Sequence, residues 1–130
     1  MKSVIVIGAL AAALLATGAA SASGRAANAA KGKVVFNEQC SLCHSAKPGV
    51  EGAAPSLNGV VGRKAASDPG FPAYSRALKA SGLTWTKETL EHFLANPSAM
   101  VRGTAMPISL PAEADRHDVI AYLASLKRGR

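Results

Sequence analysis

The sequence predicts a single all-α domain of about four to five helices joined by long loops, and three observations carry that reading. No stretch alternates apolar and polar residues as a half-buried strand does. Two segments place apolar residues at helical spacing: Leu90, Phe93 and Leu94, and further on Val119, Tyr122, Leu123 and Leu126. Residues 47–70 are rich in Pro, Gly, Ala and Ser without any period, which describes an irregular loop wrapped around something other than a core built by the chain. With 130 residues there is room for one domain and not two.

Lys2 supplies a basic start, residues 4–15 are apolar and uncharged, and Ala20-Ser21-Ala22 has the small-residue pattern of a cleavage site. Residues 1–22 therefore read as a secretory signal peptide and residues 23–130 as the mature domain. The apolar run of about 12 residues is short of the roughly 20 that span a bilayer, so no stable membrane insertion is expected after cleavage. The expected destination is a bacterial periplasm.

Residues 26–44 are mostly helix formers and predict a first helix, stopped by Pro48 and Gly49. Residues 74–80 form a short helix that Ser81-Gly82 ends. Thr86 caps the next helix, which Asn96-Pro97 stops. Residues 103–107 hold turn formers and read as a loop. Pro111 falls at the first position of the last helix, Glu113 and Asp115 complement its dipole, and Lys127 and Arg128 close it.

Apolar residues make up 48% of the chain but aromatics only 5%, so the core is thin and an embedded cofactor would relieve it. The formal charge of +7 favours anionic partners. Nucleic acid is not among them, because the lysines form no cluster and the compartment is wrong.

Both cysteines lie in Cys40-Ser41-Leu42-Cys43-His44, the C-x-x-C-H attachment signature of c-type haem. Two thiols three residues apart on a helical turn can each form a thioether to one porphyrin edge, and the adjacent imidazole then reaches the iron as proximal ligand. A thioredoxin-like motif would need a βαβ pattern, and structural zinc would need four ligands. The opposite axial position decides function, because a protein ligand there favours electron transfer and an open one favours binding gases or peroxide. Met100, Met106, His92 and His117 are the candidates. Met106, in Gly103-Thr104-Ala105-Met106-Pro107, lies on a loop able to cross a haem face, and a thioether suits iron in a His/Met pair. Met100 is second, and both histidines sit among charged neighbours as surface residues.

Taken together, these residues resemble the class I cytochromes c over about residues 30–126. Gly32 through Phe36 and the Cys40–His44 motif resemble the family's first helix, and Val119 and Tyr122 match the last helix that packs on it. The resemblance implies one haem c bound through Cys40 and Cys43, with His44 and Met106 as iron ligands. It also implies that the carbonyl of Pro55 accepts the second N–H of His44, and that Arg63, Tyr74 and Trp85 lie at the haem propionates. Plainer roles compete: Tyr74 and Trp85 as core aromatics, Arg63 as a solvated loop residue. Three departures from the family pattern stand out. Phe93 takes a position where many members have tyrosine. Gln39, Ser98, Ala99 and Ala105 replace docking lysines, leaving Arg102, Lys33 and Lys47. Ala54 precedes Pro55 where glycine is usual.

The function this implies is a periplasmic one-electron carrier, not an enzyme, serving a membrane electron-transfer complex or soluble dehydrogenase and acting as a monomer. The alternatives are a five-coordinate haem protein that binds a gas or reduces peroxide, and a dedicated electron-accepting subunit of one enzyme.

Overall fold

Helix α1, Ala29–Val35, begins where Asn28 accepts the Lys31 N–H on its side chain, in a computed structural model that describes residues 25–126. The expected signal peptide over residues 1–22 and the expected helix-closing Lys127 and Arg128 lie outside the described residues. The chain then widens into a π-helical stretch, Phe36–Cys40, closed by the Ser41 N–H donating to the Phe36 carbonyl at 2.9 Å. The expected single helix over residues 26–44 is therefore shorter, and changes pitch just before the cysteine motif.

Helix α2, Arg76–Ala80, is capped by Ser75. Helix α3, Lys87–Ala95, opens with a reciprocal cap in which Thr86 and Thr89 each take the other's backbone N–H. Asn96 ends α3 and at once caps α4, Pro97–Met100, with Pro97 at the first turn, where a missing N–H costs nothing. The expected stop is a break between two helices.

Helix α5, Glu113–Ser125, starts two residues later than expected. Arg116 Nη1 donates to the carbonyls of Leu110 (2.8 Å) and Pro111 (2.7 Å), so the Leu110 oxygen that would open a helix at Pro111 is engaged by a side chain. The same guanidinium, through Nε, reaches Glu91 on α3 at 2.6 Å and ties the two helices together.

The core gathers α1, α3 and α5 around Phe36, Leu90, Phe93, Val119, Ile120 and Leu123. Helices α1 and α5 cross at Gly32, and the Phe36 ring meets Tyr122 with 5.5 Å between centroids. The buried Asp118 on α5 accepts from the Asn28 N–H at 2.7 Å and from Arg25 at 2.5 Å, anchoring the start of α1. No strand forms among the described residues; one isolated antiparallel bridge, Lys64 to Thr84, stitches the long loop to the segment before α3.

Candidate functional site

The cysteine motif leaves the π-helical stretch as a turn, with the N–H groups of Cys43 and His44 both donating to the Cys40 carbonyl, at 3.1 and 2.9 Å. The two thiols are thus held one turn apart and both are free. Cys43 is exposed, and burial pushes the half-buried Cys40 thiol up to about 11.

His44 Nδ1 lies 2.7 Å from the Pro55 carbonyl oxygen. A carbonyl only accepts, so Nδ1 carries the proton and Nε2 keeps its lone pair. Burial lowers the imidazole's pKa, against the opposing pull of the Pro55 carbonyl, and so favours the neutral ring that binds metal. The Pro55 segment is strapped to the motif: Ala54 N–H donates to the Cys43 carbonyl at 3.0 Å, and Leu57 N–H to Ser45 at 2.8 Å. Ala54 needs no left-handed backbone, since Ala66 (φ 56°) is the one non-glycine with positive φ among the described residues.

Met106 rides the loop after α4. Gly103 turns the chain at φ 89°, and the Met106 N–H donates to Thr104 Oγ1 at 3.3 Å. Its half-buried side chain packs on the core, as does that of Met100 at the end of α4. His92 and His117 are both exposed. Phe93 is buried and meets Trp85 edge to face at 4.9 Å, and Trp85 is itself 7% exposed.

Arg63 and Tyr74 meet through Asp68, a residue to which the sequence reading gave no role. Arg63 pairs with the Asp68 carboxylate at 3.1 Å and donates to the carbonyls of Ser56 and Asn58. The Tyr74 hydroxyl accepts the Asp68 N–H at 3.3 Å, and burial raises its pKa. Asp68-Pro69-Gly70 is a turn signature that could have flagged this hub. Nothing in the pattern announced the long-range pairs of Asp118 and Arg116, because both look like ordinary charges on a helix face.

No group of three His, Cys, Asp or Glu side chains among the described residues could cage a bare metal ion. An iron porphyrin asks for less, namely two thiols for attachment and axial donors for the iron. Two free thiols one turn apart and an imidazole with its lone pair directed by Pro55 supply the attachment points and one such donor. Fold and donor set together define a single-haem c-type protein of all-α architecture.

The sequence profile described as Cytochrome c matches residues 29–127. Cytochrome c2 of Rhodomicrobium vannielii is 52% identical over 100 residues, covering 73% of this chain and 76% of its own. Cytochrome c of Tetrahymena pyriformis is 49% identical over 100 residues, covering 76% and 89%. Among solved structures, cytochrome c2 from Rhodospirillum centenum superposes with a TM-score of 0.72 at 35% identity, over 77% of this chain and 98% of that one. The chain belongs to the cytochrome c family. It is a class I c-type cytochrome with one covalently bound haem c, an electron carrier and not an enzyme.

Proposed function

We propose that this chain is a periplasmic one-electron carrier in which Cys40 and Cys43 hold the haem by thioethers, and His44 and Met106 are the axial ligands. The observation that carries the reading is the 2.7 Å bond from His44 Nδ1 to the Pro55 carbonyl, which fixes the tautomer a proximal ligand requires. Haem iron supplies the one-electron change between ferric and ferrous. The protein's part is to keep both axial positions filled, so that no small substrate binds, and to leave a face open to partners.

Arg63, Tyr74 and Trp85 serve the propionate side. Export rests on Lys2, the apolar residues 4–15 and Ala20-Ser21-Ala22, with residues 1–22 removed and residues 23–130 retained as a monomer. Among the described residues, no helix is long and apolar enough to cross a membrane. The partners are redox proteins, a membrane complex or a soluble dehydrogenase. Among the exposed residues open to such partners are the apolar Leu42 (94%) and Ile108 (46%) and the cationic Lys47 and Arg102.

The test is an absorption spectrum of the chain produced in a haem-attaching periplasm, ferric and reduced, with and without carbon monoxide. A ferric sulfur-to-iron band and no response to carbon monoxide are expected. A high-spin ferric spectrum with ready carbon monoxide binding would overturn the carrier reading.

A further inference from the structure

Three separate contacts converge on Asp68. Its Oδ2 pairs with Arg63 Nη1 at 3.1 Å, its N–H donates to the Tyr74 hydroxyl at 3.3 Å, and its Oδ1 accepts the Gly70 N–H at 3.1 Å, closing the turn. The ion pair is largely shielded, with side chains 18% and 11% exposed, so salt screens it less than a surface pair. The other groups that receive Arg63 are the neutral carbonyls of Ser56 and Asn58, so Asp68 supplies the charge in direct contact with the guanidinium. Glu51 stands on the same cavity of about 440 Å³, and a Cβ at Gly70 would lie 2.5 Å from its Oε1.

We propose that Asp68 is a positioning residue that balances charge for the one-electron reaction. Its carboxylate cancels the charge of Arg63 beside the propionates and holds the reduction potential below the value Arg63 alone would set. This rests on the reading that Arg63 and Tyr74 face the haem propionates. Reduction adds an electron, so a net positive neighbour favours the ferrous form and a compensating carboxylate opposes it. Tyr74 already registers this opposition. After burial, which raises its pKa, and the hydrogen bond at Asp68, which lowers it, the charge of Arg63 pulls the pKa down and that of Asp68 pushes it up.

The experiment is a redox titration of the haem-loaded protein, with thermal midpoints, for wild type, Asp68→Asn, Asp68→Ser, Asp68→Glu and Arg63→Met. Both neutral variants keep an acceptor for the Gly70 N–H and the backbone donor to Tyr74. They should raise the potential by at least threefold in the one-electron equilibrium, about 28 mV at 59 mV per decade. Asp68→Glu should stay within that bound, and Arg63→Met should lower the potential. Neutral variants that lower the thermal midpoint without moving the potential would overturn the proposal, as would an Asp68→Glu shift as large as theirs. If Arg63→Met lowers the potential and the neutral variants do not raise it, Asp68 fails while the placement of Arg63 stands. If none of the variants moves it, the placement of Arg63 fails and the proposal falls with it.

Discussion

Gly32 of α1 lies so close to Asp118 of α5 that a Cβ on the glycine would stand 1.8 Å from the Asp118 carbonyl oxygen and 2.9 Å from Tyr122 Cβ. The first helix therefore meets the last backbone to backbone, and this crossing sets the point from which the chain leads on to Cys40.

Replacing a mid-helix glycine with alanine ordinarily stabilises by about 0.5–1 kcal/mol. Here the added methyl meets backbone that cannot rotate away, and overpacking of this kind costs about 3 kcal/mol. Gly32→Ala should therefore destabilise by a net of about 2 kcal/mol, read in denaturant unfolding of the loaded protein. A gain in stability would show that the helices separate freely at this crossing.

Arg25 and Asp118 make a pH-dependent clasp at the same place. The Arg25 guanidinium hydrogen-bonded to Asp118 is the main reason its carboxyl lies below the ordinary 3.8; burial opposes this, and the Asn28 N–H and the charges of Arg25 and Lys31 assist it. A carboxyl depressed by folding adds stability above its unfolded value and loses it as pH falls through the folded value, so the effect appears below about pH 4. Arg25→Ala should move the acid-unfolding midpoint upward and cost about 1 kcal/mol or less near neutrality, since the Arg25 side chain is 46% exposed. Circular dichroism against pH checks both, and an unmoved midpoint would remove the clasp from the account.

Ala66 adopts φ 56°, the left-handed region that costs an L-residue about 1–2 kcal/mol. Glycine there removes the strain but widens the unfolded ensemble, which costs about 0.4–1 kcal/mol. The strain is the larger effect, so Ala66→Gly should stabilise by about 0.5–1 kcal/mol in thermal unfolding. A loss would mean that the Ala66 methyl contributes packing greater than its backbone cost.

Much of this structure could be read from the chain. The cap residue Thr86, the stripe on α5, and the motif at the end of the first helical stretch all depend on neighbours within one or two turns, and local pattern reports them faithfully. Helix α4 did not, because Asn96-Pro97 is at once an end and a beginning, and the same two residues signal both. Pro111 misled for a related reason: its fitness for a first turn is local, while the donor that takes the Leu110 carbonyl, Arg116, acts from the following turn and is itself held by Glu91 of α3. Asp118 carries no local sign of its burial, because its partners, Arg25 and Asn28, are about ninety residues away. For the candidate site, the motif was legible in the residues and the Pro55 contact only through the family resemblance, whereas Asp68 was not legible, since its contacts are set by a loop whose path no period encodes.

Docking to an acidic redox partner should depend on salt. The sequence carries 15 Lys and Arg against 8 Asp and Glu, yet only scattered cations, Lys33, Lys47 and Arg102, remain of a basic ring, so steering is modest. Raising ionic strength from about 10 mM to 150 mM shortens the screening length from about 30 Å to 8 Å, and should slow the bimolecular electron-transfer rate by about three- to tenfold. Stopped-flow mixing checks this, and a rate flat in salt would place recognition on apolar residues such as Leu42 and Ile108.

The central claim is that Met106 closes the iron opposite His44, and carbon monoxide binding by two variants tests it most directly. Met106→Ala should abolish the ferric sulfur-to-iron band and make the reduced protein bind carbon monoxide, while Met100→Ala should keep the band and resist the gas. The reverse pattern would move the ligand to Met100, and a wild-type protein that binds carbon monoxide as readily as Met106→Ala would contradict a closed, electron-carrying iron.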